Sequence, residues 1–217
     1  MIHPLFSIPL YINFECAKEY NINLNDLNSR LLNLNWERVK NPNPLYEPKG
    51  STTVDKEILK MPEFLDIFKI IDAEMKKYVF KNLGVDPEGI ELDCNRSWSM
   101  LHKNGDYSRQ HCHENCLWSG IFYTKLPKNC GGINFHCESL RYTWILPSIK
   151  PNLKQITPYT SNEVYIEPTE GSILIFPGFV QHSTPPNLNT EDRLNIVFNY
   201  SLKGVFGDNY YEKQIIK

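Results

Sequence analysis

From residue 90 to residue 202 the chain is written in short runs rich in β-branched and aromatic residues, broken by Gly, Pro and Asn, with no helical periodicity between them. The runs fall at 90–101, 107–113, 117–125, 131–137, 142–146, 163–167, 171–177, 180–184 and 193–202. Strands that succeed one another without intervening helices point to a sandwich, a jelly roll or a small barrel. Two of the runs read as buried on both faces. In RLNIVFNY (193–200), Leu194, Ile196 and Phe198 face one way, while Arg193, Asn195, Val197 and Asn199 face the other. The first face needs an apolar cover. The second sets polar groups at the spacing of a pocket.

The cover is available upstream. Over residues 55–82, Ile58, Leu59, Phe64, Leu65, Phe68, Ile71, Met75, Tyr78 and Val79 recur at three- and four-residue steps, which predicts a long amphipathic helix. Asn82–Leu83–Gly84 is its expected stop. A shorter helix is expected over Leu24–Leu32, and MIHPLFSIPLYINFE, interrupted by Pro4 and Pro9, reads as an extended opening strand. The polar, Asn-rich stretch that follows the opening strand runs through residue 53 and includes this helix. Its NPNPLYEPKG segment (41–50) cannot be helical, because the prolines forbid it. The expected organisation is one domain over 1–217: an N-terminal strand and helical layer (1–89), a β-core (90–202) and a C-terminal tail (203–217).

Composition narrows the function classes. A net charge of −2 over 217 residues gives no overall basic field to draw the chain to nucleic acid or an anionic membrane. No apolar run approaches the roughly 20 residues of a membrane span, and the N-terminus has no basic leader segment. The six cysteines (16, 94, 112, 116, 130, 137) form no C-x-x-C pair, so reduced thiols and a cytoplasmic location are expected.

The chemistry sits in two segments, HCHENCLWSGIFY (111–123) and EGSILIFPGFVQHSTPP (170–186). On an extended chain His111 and His113 project to one face and Cys112 to the other, so two imidazoles can chelate one ion. His182, on the strand after a strongly hydrophobic one, supplies a distant third ligand. Imidazoles suit Fe, Zn, Cu or Ni, so ligand type alone leaves the metal open. A rival reading groups HCHENC with Cys130 and Cys137 as structural zinc, but the matched cysteine pairs of such sites are missing. His102 and His136 read as structural or surface residues, and Trp98, Trp118, Phe122 and Phe135 as core.

The order of features adds more. The HxH pair is followed by a strand ending in Tyr123, then Gly131–Gly132, a Gly171-led hydrophobic strand, His182 and Arg193. Arg193 can form a bidentate, charge-assisted pair with a carboxylate. Ser119 and Tyr123 share a strand face with hydroxyls to offer. This order resembles the Fe(II)- and 2-oxoglutarate-dependent oxygenases, especially the prolyl-hydroxylase-like branch and the oxygenases common in phages and marine bacteria. The resemblance covers residues 96–202.

The resemblance implies a mostly β fold, a double-stranded β-helix (jelly-roll or cupin-like) backed by N-terminal α-helices. It implies iron on His111 and His182, and 2-oxoglutarate held by Arg193, Tyr123 and Ser119, with Asn195 beside Arg193. Fe(II), 2-oxoglutarate and O2 would then hydroxylate an unactivated C–H, releasing succinate and CO2. The family usually has Asp or Glu where His113 stands. Three arrangements follow: a three-histidine site, which we favour, a two-histidine site with His113 turned away, or Glu114 substituting. The long segment 138–162 is a candidate lid, with Arg141, Tyr142 and Trp144 against a small-molecule or peptide substrate. Two rivals remain: a three-histidine cupin-type dioxygenase that needs no 2-oxoglutarate, and a non-catalytic metal- or partner-binding β-helix.

Overall fold

The computed structural model describes residues 7–40, 50–137, 152–157, 160–207 and 214–216. The chain opens with β1 (Tyr11–Asn13), α1 (Cys16–Glu19) and α2 (Leu24–Leu32). The Asn23 side chain caps α2 by accepting from the Asp26 N–H, and Leu27 and Leu31 are its buried face. The expected opening strand is therefore short, with three residues paired as β1.

The long helix expected over 55–82 is only partly formed. Residues 58–64 make two 3-10 turns, Ile58–Lys60 and Pro62–Phe64, before α3 (Leu65–Lys76) continues as a π-helical turn over Lys77–Asn82. Pro62 holds Met61 in an extended conformation (ψ 141°), which breaks the helix there. Ile58, Leu59 and Phe64 are nonetheless buried, so the apolar spacing is satisfied by turns in place of a helix. Gly84, at φ 73°, ends the segment as expected.

The remaining strands are β2 (Trp36–Arg38), β3 (Ser51–Thr53), β4 (Ile90–His102), β5 (Ser108–His111), β6 (Trp118–Lys125), β7 (Ile133–His136), β8 (Glu163–Ile166), β9 (Ile173–Pro177), β10 (Gln181–Thr184), β11 (Arg193–Phe206) and β12 (Gln214–Ile216). They form two antiparallel sheets. The larger runs β1-β9-β6-β11-β4-β3-β2, with β12 also on β11, and the smaller runs β5-β10-β7-β8. Sequence reading missed β2, β3 and β12, and took 203–217 as a tail. Each of these strands has three residues, too few for an alternation to show, and forms because a longer strand offers an edge. β3 lies on β4 with Ser51 opposite Leu101, and β12 lies on the extension of β11. The expected strand 142–146 and the residues Arg141, Tyr142 and Trp144 lie outside the described residues.

Two apolar layers hold the sheets. Leu194, Ile196 and Phe198 face α3 and the turns before it, meeting Ile67, Ile71, Met75 and Phe64. Each such fully buried side chain contributes about 1.5–3 kcal/mol. The opposite face looks between the two sheets, where Ile121, Tyr123, Ile133, Leu174, Phe176 and Val180 cluster. The Asp106 carboxylate takes a bidentate pair from Arg38 at 3.0 and 3.1 Å and also the Lys103 N–H at 3.0 Å. That clamp ties β2 to the β4–β5 turn and so fixes where β5 begins. Among the described residues no helix is long and apolar enough to cross a membrane.

Candidate metal centre

β5 and β10 pair antiparallel with His111 opposite His182, so the two imidazoles leave neighbouring strands at the same level. The run expected to stay extended through residue 113 ends at His111, and strand alternation therefore does not hold His113. Two other contacts do. The His113 N–H donates to the Gly178 carbonyl at 2.8 Å, and its ring stacks on Trp98 at 5.5 Å between centroids. A side chain at Gly178 would meet Cys116 Sγ at 2.6 Å and the Cys116 carbonyl oxygen at 2.9 Å. The close approach of this backbone thus requires glycine.

The result is a compact triad. One nitrogen from each of His111, His113 and His182 lies within 4.8 Å of the others. The Nε2 atoms of His113 and His182 are 3.3 Å apart, with the two rings parallel to within 2°. For metal–nitrogen bonds of about 2.0–2.1 Å, ligands on one face of an octahedron stand about 3 Å apart, so this spacing suits a shared ion. Nδ1 of His111 lies 2.7 Å from the Arg109 carbonyl and Nδ1 of His182 lies 2.9 Å from the Val180 carbonyl. Those carbonyls accept hydrogen bonds from Nδ1–H, which leaves the Nε2 lone pair free.

Burial, reinforced by the neighbouring imidazoles, pushes His113 and His182 down to about 3, and burial also lowers His111. All three are neutral near pH 7, the form that binds metals. Among the described residues no group with a cysteine or a carboxylate meets the same ligand spacing, Glu114 included. Cys16, Cys94, Cys112, Cys116 and Cys130 are free thiols.

Arg193 is wholly buried at the start of β11. Its Nη1 donates to the Gly132 carbonyl at 3.3 Å, and its guanidinium sits 5.3 Å from the centre of the Tyr123 ring. Nε and Nη2 have no hydrogen-bond partner among the described residues. The same holds for Tyr123 Oη, Asn195 Oδ1 and His102 Nδ1. The register gathers these groups, pairing Arg193 with His102 and Asn195 with Tyr123. Burial pushes the Tyr123 hydroxyl up to about 12 against the opposing charge of Arg193, so it stays a donor. Burial, aided by Arg193, holds His102 down near 3 and uncharged. A buried cation with unused donors, ringed by neutral polar groups, is an incomplete site for an anion.

Gly132 adjoins this pocket through the carbonyl that accepts from Arg193, and any side chain there would stand 2.2 Å from the Ile166 carbonyl oxygen. Ser119 shares the inner face of β6 with Tyr123, yet its hydroxyl donates to Asn199 Oδ1 at 3.0 Å and is not brought to Arg193 by any contact. His136 bonds Ser183 Oγ through Nε2 at 2.8 Å, away from the triad. Sequence reading passed over two residues. His102 joins the Arg193 pocket, which only strand register could reveal, and Trp98, read mainly as core, is the ring on which His113 rests.

Residues 96–199 match the model of a family described as "Putative 2OG-Fe(II) oxygenase". No curated protein matches the chain. Several solved structures are similar in fold. The prolyl-4-hydroxylase of Pseudomonas putida is 13% identical with a TM-score of 0.52, over 90% of this chain and 94% of that one. The epimerase SnoN from nogalamycin biosynthesis, in complex with Fe3+, alpha ketoglutarate and nogalamycin RO, is 13% identical with a TM-score of 0.60, over 91% and 81%. HygX from Streptomyces hygroscopicus, with nickel and 2-oxoglutarate bound, is 11% identical with a TM-score of 0.55, over 89% and 83%. At these identities the likeness is one of fold: a double-stranded β-helix backed by helices.

Proposed function

We propose that this chain, whose residues 96–199 match the 2OG-Fe(II) oxygenase family model, is an oxygenase that hydroxylates an unactivated C–H of a bound substrate at the His111, His113 and His182 triad. The observation that carries this reading is Arg193. It is 0% exposed, has two unpaired donor nitrogens, and sits among unpaired Tyr123 and Asn195 oxygens on the sheet face that looks toward the strands of His111 and His182. A dicarboxylate reaching from that pocket to the metal would satisfy the orphaned groups.

His111, His113 and His182 would hold Fe(II) through Nε2. The three imidazoles are neutral, so they leave the ion its full positive charge and favour a dianionic chelator such as 2-oxoglutarate. With 2-oxoglutarate and O2, the iron supplies the oxidising chemistry that side chains alone cannot. Arg193 would clamp the far carboxylate through Nε and Nη2, with the Tyr123 hydroxyl donating beside it. Phe176 packs edge-on against His182 at 4.9 Å and against Phe135 at 5.0 Å, and these rings keep bulk water off the inner side of the triad.

A second reading has one observation in its favour: three histidines with no carboxylate also suit a cupin-type dioxygenase in which Arg193 binds the substrate itself. Anaerobic titration with Fe(II) and 2-oxoglutarate decides between them. The expected result is a visible charge-transfer band that is lost in Arg193→Ala. Iron binding without any such band would favour the cupin type, and no iron binding would leave only a binding module.

A further inference from the structure

His111 and His113 also line a cleft of about 550 Å3 at the open edge between the two sheets, where Arg96, Trp98 and Met100 stand on the same inner face of the large sheet as Asn199. Lys56, Arg96 and Arg109 line it, against a single acidic residue, Glu114. The cleft is thus locally positive in a chain whose net charge is −2. Lys56 is largely engaged, since its Nζ donates to Thr52 Oγ1 at 2.9 Å and lies 3.9 Å from Glu37. Arg96 and Arg109 are exposed, and among the described residues neither has a carboxylate within ion-pair distance. Arg96 is anchored from below by Trp98, its guanidinium 5.5 Å from that ring's centre, and Trp98 in turn stacks on His113. A held but unneutralised guanidinium is therefore linked through one aromatic ring to the metal triad. Met100 extends the apolar wall beside Trp98.

We propose that the substrate is a small organic oxyanion with an apolar body, a deduction that rests on the oxygenase reading above. Its charged group meets Arg96 and Arg109, which act as specificity-determining residues. Its body lies against Trp98 and Met100, which brings a C–H to the open side of His111 and His113. Arginine is suited to this task because its planar fork meets carboxylate and phosphate oxygens in pairs and stacks on indole at the same time. A neutral or cationic substrate would leave both guanidinium groups unused at the mouth of the site.

The test is calorimetric titration of the full chain, loaded with Ni(II) and 2-oxoglutarate and also without either, using 2-naphthoate, 2-naphthyl phosphate and neutral 2-naphthamide. Binding of at least one anion is expected, with 2-naphthamide weaker. Arg96→Gln and Arg109→Gln should each weaken it about tenfold, as loss of one charge-assisted pair does. Lys69→Gln, which removes one exposed charge on α3, should leave it unchanged. Preference for 2-naphthoate or 2-naphthyl phosphate tells a carboxylate from a phosphate ester. Equal binding of the amide, insensitivity to both arginine changes, or displacement of the probe by 2-oxoglutarate would each overturn the proposal. If the iron and 2-oxoglutarate band is absent while the arginine-dependent anion binding persists, the oxygenase reading fails and the anion cleft stands.

Discussion

Arg193 and His113 are the two residues whose surroundings ask most for an outside partner. A guanidinium taken fully out of water with no anionic partner costs several kcal/mol, and among the described residues Arg193 has none, beside three further orphaned polar atoms. His113 poses a different question, because a carboxylate is usual at its place in the oxygenases the sequence resembles. Its ring is fixed between Trp98 and His182 and its Nε2 is 3.3 Å from that of His182, so it has a ligand's position without a strand to hold it. Ni(II) or Fe(II) affinity in His113→Ala should fall by more than the 10–100-fold typical of losing a residue that merely supports a ligand. An affinity equal to that of the unaltered chain, measured by competition against a chelator, would mean that two histidines suffice.

At the scale of elements, the triad depends on three segments meeting: the end of β5, the loop after it, and β10. Gly178, in the turn that leads into β10, is where that loop is held. A methyl group there would stand 2.6 Å from Cys116 Sγ and 3.1 Å from the His113 carbonyl oxygen, and backbone cannot yield as a flexible side chain can. Gly178→Ala should lower stability by about 1–3 kcal/mol through overpacking. It should also weaken metal binding, because the 113–116 loop must shift. Chemical denaturation checks the first effect and metal titration the second. Unchanged metal affinity alongside lost stability would show that His113 keeps its place without this contact.

For the whole molecule, the N-terminal segment must stay docked on the helix that backs the large sheet. Glu74 does this from α3. It is 0% exposed and accepts from Tyr11 at 2.7 Å, Tyr20 at 2.9 Å and Asn13 at 3.1 Å, with Lys77 3.5 Å away. Burial pushes its carboxyl up, but the hydrogen bonds from Tyr11, Asn13 and Tyr20 and the charge of Lys77 outweigh this, so it lies below the usual carboxylate range. A depressed carboxyl contributes stability above its unfolded value of about 4.3 and loses it as pH falls through the folded value. Glu74→Gln should therefore be less stable at pH 7 by about 1–3 kcal/mol, and the gap should narrow below about pH 4.3. Urea denaturation over that range reads it. A gap that stays constant into strong acid would mean Glu74 matters only for its shape.

Local pattern sufficed wherever a long element has a uniform environment. Alternation in RLNIVFNY separated the face that α3 covers from the face that carries Arg193, Asn195 and Asn199, and α2 falls on the residues expected of it. The order of His111, Tyr123, His182 and Arg193 along the chain was likewise enough to bring out the oxygenase resemblance. What depended on contacts between distant segments was not legible. Helical periodicity over 55–64 is realised as turns because Pro62 breaks the backbone while the sheet still buries the same side chains. Strands of three residues exist only because a neighbour offers an edge. His102 reaches the Arg193 pocket through the pairing of β4 with β11, and His113 is aimed by Gly178 and Trp98 after its own strand has ended. Sequence thus determined which groups this protein brings to its centre, since composition and period are local properties. The tertiary structure alone decided how they face one another, because register and loop anchoring are set by residues far apart in the chain.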